Sequence, residues 1–281
     1  MNYFQPLDLN EALQFLSQTK LTIAAGCTDI LPTTEKNELS GNILDISKIN
    51  SLKGITTDNN YRKIGALTTW SEIFNHDLPD SYQMLKECSR EIGSIQIQNS
   101  GTIGGNLCNA SPAADSVPCL LNLNAHVELK SLGKKRVLPI SKFIIGSRKT
   151  ELFDNEILTS ILIPRKEEKG ISDFVKIGAR KYLIISIAMA ACKLEILENK
   201  INSIAISIGS CSEVAKRIIS LENILLGKSI DKFDITQSEF SSMKELSPIN
   251  DIRSDKNYRE HAAKILILEV GTNCIRKYKR L

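Results

Sequence analysis

Between Gly101 and Gly105 the chain places three glycines, Gly101, Gly104 and Gly105, around Thr102 and Ile103, with Asn106, Asn109, Ser111 and Asp115 close behind. Glycine lets a backbone turn through positive φ and approach a ligand closely, because no Cβ intervenes. Successive N–H groups in such a turn form a concave nest that suits an anion such as a diphosphate. The hydroxyls and amides nearby add donors, and Asp115 is placed to accept from a ribose hydroxyl. A second segment, LTIAAGCTDILP over 21–32, joins an apolar β-type run to a polar turn through Ala24, Ala25, Gly26, Cys27, Thr28, Asp29 and Ile30, then Pro32. Two such turns can clasp one elongated, doubly phosphorylated ligand from both sides. Neither is a G-x-G-x-x-G fingerprint and no G-x-x-x-x-G-K-[ST] occurs, so the Rossmann and P-loop readings lack their defining motifs. The chemistry read from these residues is an anion-cradling backbone for a dinucleotide.

The two segments resemble the paired FAD-binding loops in the flavoprotein (medium) subunits of the molybdenum hydroxylases, the xanthine dehydrogenase and carbon monoxide dehydrogenase family. That family reads roughly A-G-G-T-D-L-x-P at the first loop and Q-I-R-N-x-G-T-I-G-G-N-x-x-x-A-S-P-x-x-D at the second. Here Ala25 to Ile30 and Gln96 to Asp115 match in order and spacing. The likeness continues at Glu156-Ile157-Leu158 through Ile163-Pro164, at Phe174-Val175-Lys176 with Ala179-Arg180, and at Ser247 to Arg253 with Tyr258-Arg259. Two positions depart from the pattern: Cys27 stands for the second glycine of the first loop, and Gln98 for the arginine of Q-I-R-N. A Cβ at Cys27 requires an allowed φ, which is expected to tighten the turn or displace the diphosphate slightly.

Composition sets the remaining limits. The chain has 281 residues, 42% hydrophobic and 24% charged, with a net charge of +4. Area scaling buries roughly three-quarters of the extended chain's surface at this length. The charge is too mild and dispersed to argue for nucleic acid. No run of eighteen apolar residues exists, so no membrane span is expected, and MNYFQPLDLNEAL lacks the layout of a secretory signal; a cytoplasmic protein is expected. Seven cysteines without C-x-x-C spacing fit reduced thiols. His76, His126 and His261 show no metal-ligand spacing, and with no histidine in either loop a non-covalent cofactor is expected.

The elements that must position the loops read as follows. Asp8-x-x-Glu11 caps a helix through about Ser17; LTIAA, NILDI and YRKIGAL are strands; Thr69-x-x-Glu72 opens a helix, and 82–92 forms another. Strands at 125–130 and 137–140 flank a turn at Gly133. PRKEEKGISD, 164–173, reads as a linker or exposed hairpin. FVKIGA, the apolar run 184–197 and INSIAISIG follow as strands, and helices are expected around 213–226 and 256–275. Strands and helices mix without strict βαβ alternation, which argues α+β. The resemblance implies a two-lobed FAD-binding PCMH-type domain of the vanillyl-alcohol-oxidase/MurB kind over 1–170, with lobes of about 1–55 and 56–170, and a C-terminal α/β domain over 171–281.

The resemblance further implies site roles. Residues 24–30 and 102–106 would cradle the diphosphate and ribityl chain, Asn109 and Asp115 would bond sugar or adenosine groups, Ser111 would also bind the cofactor, and Leu158 and Lys176 would lie along the flavin. It implies an electron-transfer subunit with FAD, receiving electrons from [2Fe–2S] clusters on a small partner. A molybdopterin-binding large partner would hydroxylate the substrate, xanthine or another purine first among the options. NAD⁺ or another acceptor would follow, in a dimer of heterotrimers. No cysteine lies between Cys119 and Cys192, so no additional iron–sulfur segment is expected. Two rivals remain on the sequence: a self-sufficient flavin oxidoreductase, and a scaffold subunit that has lost FAD.

Overall fold

The protein is described from a computed structural model covering residues 2–30, 41–180 and 185–281. Pro32 and Ile184 lie outside those residues. The chain opens with strand β1 (Tyr3–Phe4), helix α1 (Leu9–Gln18) and strands β2 (Thr22–Ala24) and β3 (Ile43–Asp45). Asp8 caps α1 by accepting from the Glu11 N–H, as its spacing predicts, while Glu11 reaches back to the Leu7 amide and not to Asp8. The three strands form a parallel sheet in the order β1-β3-β2. It packs on the apolar face of α1 through Ala12, Leu13, Leu16, Leu44 and Ile46.

Next come β4 (Ile55–Thr57), β5 (Tyr61–Gly65), α2 (Trp70–Asn75), α3 (Gln83–Glu91), α4 (Ile95–Ser100), α5 (Ile103–Asn109) and α6 (Ser116–Asn122). They are followed by β6 (His126–Ser131), β7 (Lys134–Pro139), α7 (Ile140–Phe143), β8 (Ile144–Gly146), β9 (Lys149–Thr150) and β10 (Ile157–Pro164). Strands β4-β5-β10-β6-β7 make an antiparallel sheet, with β8 and β9 a separate hairpin. The full capping box at Thr69 and Glu72 forms. Helices α2 to α6 cover the sheet over a core that includes Trp70, Tyr82, Leu107, Leu120 and Ile161.

The remainder holds β11 (Ile171–Ile177), β12 (Ala188–Leu197), β13 (Lys200–Gly209), β14 (Lys216–Arg217), α8 (Ile219–Leu225), α9 (Gln237–Phe240) and α10 (Lys256–Tyr278). Strands β11 to β14 form an antiparallel sheet in sequential order. One side of it packs on α10 through Ala190, Cys192, Ile267 and Val270.

Three expectations are revised. The 164–173 segment does connect two sheets, but it is tied down: Glu168 pairs with Arg62 at 2.6 Å and Arg165 at 2.8 Å, and Glu167 pairs with Lys193. The helix expected from 213 begins only at Ile219. Lys216 and Arg217 extend the sheet against Ile208 and Ser207, and Glu222 draws the turn inward by binding Arg217. The glycine-rich stretch is the short helix α5 and not a turn. Its glycines are poor helix formers, so tertiary packing decides its state.

Candidate functional site

Strand β2 ends at Ala24, and the chain bends through Ala25 to Ile30 over the ends of α4 and α5. A methyl at Gly26 would sit 2.0 Å from the Ser100 carbonyl oxygen, and one at Gly104 would sit 2.7 Å from both the Cβ and the carbonyl oxygen of Ala66. Both residues therefore serve close backbone approach; φ is positive at neither. The left-handed conformation falls instead on Cys27, with φ 56°. A Cβ there is expected to require an allowed φ; Cys27 instead takes the left-handed one, which an L-residue adopts at a cost.

The second loop is held from behind. Thr102 and Thr69 form an isolated β-bridge, so the starts of α2 and α5 lie side by side. The Ile103 N–H donates to Thr68 O at 3.0 Å, Gly104 N–H to Ala66 O at 2.9 Å, and Gly105 N–H to the Thr102 hydroxyl at 3.1 Å. These donors are spent inside the protein, which removes them from the expected nest. Among the described residues, the N–H groups of Gly26, Cys27, Thr28 and Thr102 have no protein acceptor. The anion-cradling backbone thus lies mainly in the first loop and at the N-cap of α5.

These groups open onto a cavity of about 660 Å³, within the roughly 300–1,000 Å³ typical of small-molecule and cofactor sites. Ala25, Gly26, Cys27, Thr28, Asp29, Ile30, Thr102, Gly104, Gly105, Asn106, Asn109, Ser111, Asp115 and Leu158 line it. Three expected residues do not. Ala24 is covered within the parallel sheet, and Ile103 is fully buried on the inner face of α5. Lys176 lies behind the wall, donating to Asp115 Oδ2 at 2.9 Å and to Glu91 O at 2.8 Å. Its contact with the cavity runs through Asp115.

Asp115 itself is largely committed. Its Oδ1 accepts from the Ser186 hydroxyl at 2.6 Å and its Oδ2 from Lys176. Burial pushes the carboxyl above its usual range, although Lys176 and Ser186 pull the other way. Asn106 accepts from the Ser116 hydroxyl at 2.6 Å, which fixes its amide plane. Gln98, the second departure from the family pattern, donates to Arg90 O at 2.9 Å, stapling α4 to α3. Burial pushes the Cys108 thiol up to about 12. Burial and the neighbouring Asp45 carboxylate raise Cys27, whose thiol donates to Ala25 O at 3.6 Å. Both cavity thiols therefore stay protonated and weakly nucleophilic.

Other wall residues were not read from the sequence. Trp70 is buried beside the second loop, and its backbone N–H donates to Gly101 O at 3.3 Å. As the only tryptophan of the chain, it was the one with a signal. Ile92, Gly93, Ile185, Ser186, Arg148 and Arg253 come from scattered connections and Ile157 from the start of β10, and only folding brings them together. Among the described residues no cluster of three or more His, Cys, Asp or Glu side chains could hold a metal ion.

Amides without a protein acceptor, together with lining by Ile23, Ile46, Ile97, Leu152 and Leu158, suit the cavity to a molecule that is anionic in one part and flat and apolar in another. Comparison with known proteins gives that molecule a name. Residues 1–166 match the model for the FAD binding domain in molybdopterin dehydrogenase, and residues 173–272 match the CO dehydrogenase flavoprotein C-terminal domain. Over 272 residues the chain is 29% identical to the glyceraldehyde dehydrogenase medium chain of Sulfolobus acidocaldarius, covering 95% of this chain and 96% of that one. It is 36% identical over 193 residues to the nicotinate dehydrogenase FAD-subunit of Eubacterium barkeri, covering 66% and 65%. The carbon monoxide dehydrogenase structure from Hydrogenophaga pseudoflava shares the fold, with a TM-score of 0.87 at 24% identity over 99% of this chain and 97% of that one. The chain belongs to the FAD-binding medium subunits of the molybdenum hydroxylase family, carrying that family's FAD-binding domain followed by its C-terminal domain.

Proposed function

We propose that this subunit holds FAD non-covalently in the cavity between the two loops and carries electrons for a molybdopterin-dependent dehydrogenase. The observation that carries this reading is the row of open N–H groups at Gly26, Cys27 and Thr28, set against an apolar wall in a cavity of about 660 Å³. These amides bind the diphosphate, assisted by the Thr102 amide. Asn106, Asn109 and Ser111 bond the hydroxyl-bearing parts, and Leu158 packs along the ring system. Asp115 fixes the wall at Ser186, and Lys176 holds Asp115 in place. Gly104 and Gly105 keep the α5 backbone close, while Ala24 and Ile103 anchor the two loops from behind. FAD, once bound, supplies the redox chemistry, and the protein orients it and excludes water. No side chain of the chain is assigned as a general acid or base.

In this reading electrons arrive from [2Fe–2S] clusters on a small partner, after substrate hydroxylation at a molybdopterin centre on a large partner, and leave to NAD⁺ or another acceptor. Xanthine or another purine is the proposed substrate, a dimer of heterotrimers the proposed assembly and the cytoplasm the proposed site. The break between domains is placed at 170/171. The relatives support the coarser statement: they are named as medium chains or FAD subunits of dehydrogenases acting on substrates as different as glyceraldehyde, nicotinate and carbon monoxide. Among the described residues no helix is long and apolar enough to cross a membrane.

The test is reconstitution of the full chain with FAD followed by desalting and an absorbance spectrum. Retained flavin absorbance, released into the supernatant by acid, is the expected result. A colourless protein would overturn the assignment for the isolated subunit and favour the scaffold reading. Reduction of the bound flavin by a small substrate without partners would favour a self-sufficient enzyme.

A further inference from the structure

Arg148 stands at the rim of the cavity, where the hairpin β8–β9 meets both loops. Its Nη1 donates to Asp29 Oδ2 of the first loop at 2.9 Å and to the side-chain and main-chain oxygens of Asn109 at the end of α5. One guanidinium nitrogen therefore joins the two segments that enclose the open amides. Nε and Nη2 have no protein partner among the described residues.

The backbone beneath is built for this placement. Arg148 takes a left-handed conformation, φ 58°, and its N–H donates to the carbonyl of Ala110, itself left-handed at φ 47°, at 2.8 Å. The preceding Ser147 N–H is held by Glu213 Oε1 at 3.0 Å. Of the seven left-handed non-glycine residues among those described, Cys27 and Arg148 line this cavity and Ala110 is buried directly behind Arg148. Strain of that kind persists only where surrounding structure enforces it, and it concentrates at ligand clamps. A lone half-exposed ion pair contributes little. Here the pair is one of several bonds converging on a backbone position already fixed at both sides.

We propose that Arg148 is the clasp of the cofactor site: it locks the first loop onto α5, offsets the Asp29 carboxylate beside the anion cradle, and turns its remaining N–H donors to the bound anion. The inference rests on the reading that the cavity holds FAD, and it makes Arg148 a positioning residue for that cofactor. Without the clasp the first loop separates from α5, and the amides of Gly26 to Ile30 lose their common orientation. Planarity matters, because a guanidinium can engage two oxygens while keeping further donors free, whereas an ammonium acts as a point charge.

The experiment compares the wild-type chain with Arg148→Met, Arg148→Lys and Asp29→Asn. Hydrogen exchange of residues 26–30 is measured in the cofactor-free protein, and FAD release is followed by the recovery of flavin fluorescence on dilution. In Arg148→Met, exchange in 26–30 is expected to accelerate and release to quicken about tenfold, the loss of roughly one charge-assisted hydrogen bond. Arg148→Lys should fall between, and Asp29→Asn, which opens the clasp without touching the hairpin, should shift both readouts the same way. Raising the salt concentration should speed release from the wild type more than from Arg148→Met, because salt screens an exposed pair. Exchange and release at wild-type rates in both Arg148→Met and Asp29→Asn would overturn the proposal. A wild-type chain that holds no FAD would instead strike the cofactor reading, and the exchange comparison in the cofactor-free protein would still decide whether the clasp exists.

Discussion

Cys27 carries conformational strain that a glycine at the same position would not. Its φ of 56° suits glycine, and a cysteine there carries a Cβ against the following carbonyl. Cys27→Gly is expected to stabilise the cofactor-free chain by about 1 kcal/mol, the relief of left-handed strain less the extra chain entropy that glycine brings. Denaturant unfolding monitored through Trp70 would report it. A loss of stability would mean that the half-buried thiol and its bond to Ala25 O outweigh the strain. At the neighbouring Gly26 there is no such latitude, because any side chain would enter the Ser100 carbonyl. The residue types at 26–29 were legible as a polar turn. That strain would fall on Cys27 and close packing on Gly26 was not, because φ and inter-loop distance are properties of the folded backbone.

At the scale of elements, capping chemistry was the most readable signal. Asp8 and Thr69 sit where α1 and α2 begin, since a side-chain oxygen three residues before a free N–H satisfies it locally. Helix α5 was hidden because three of the residues from Gly101 to Gly105 are glycines; the bridge to Thr69, the Thr102 cap, the approach to Ala66 and the burial of Ile103 and Leu107 hold it helical. The turn that leads into β10 and delivers Leu158 to the cavity depends on Glu156. That carboxylate accepts from Arg136 Nε and Nη2, both at 2.7 Å, and from the Phe153 N–H at 3.0 Å, while Arg136 stacks on the Phe153 ring. Burial opposes ionisation of Glu156, but the Arg136 hydrogen bonds and charge prevail and hold it below the ordinary 4.5. A depressed carboxylate contributes stability that is present above its unfolded-state value and lost as pH falls through the folded one. Glu156→Gln should therefore destabilise the chain at neutral pH, by about 1–3 kcal/mol. The difference from wild type should shrink as pH drops below 4.5. Parallel unfolding curves for the two proteins from pH 7 down into that range would contradict the assignment.

Across the whole molecule, α10 closes the structure on itself. Lys277, near its end, reaches Glu87 of α3 at 2.6 Å, Asp173 of β11 at 2.7 Å and the carbonyl of Ser172 at 2.9 Å. It thereby joins the helical cover of the first 166 residues to the C-terminal sheet. Burial, then the Asp173 charge, raise the Glu87 carboxyl despite Lys277, so the two acids depend on this ammonium to coexist. Lys277→Met leaves them facing each other and is expected to cost about 3 kcal/mol at pH 7. Removing the ammonium raises the Glu87 carboxyl further, so the penalty is felt above the carboxylate range and eases as pH falls and Glu87 takes up a proton. Thermal unfolding at pH 7 and pH 4 measures this; an equal loss at both would assign Lys277 to packing alone.

The sequence by itself determined the family, the mixed α+β class and the two loops, because those are recorded in residue types at short, fixed spacing: glycines, a cap, a β-branched run. Fourteen of the residues it singled out, from Ala25 to Leu158, line one cavity in the fold. What only the tertiary structure decided is which backbone donors remain open, that Lys176 meets Asp115, and that Arg148 and Trp70 line the same cavity. Those outcomes depend on pairs far apart in the chain: Gly104 with Ala66, Lys176 with Asp115, Arg148 with Asp29. Whether a donor is spent or free is settled by what folding brings against it, and no local pattern carries that information.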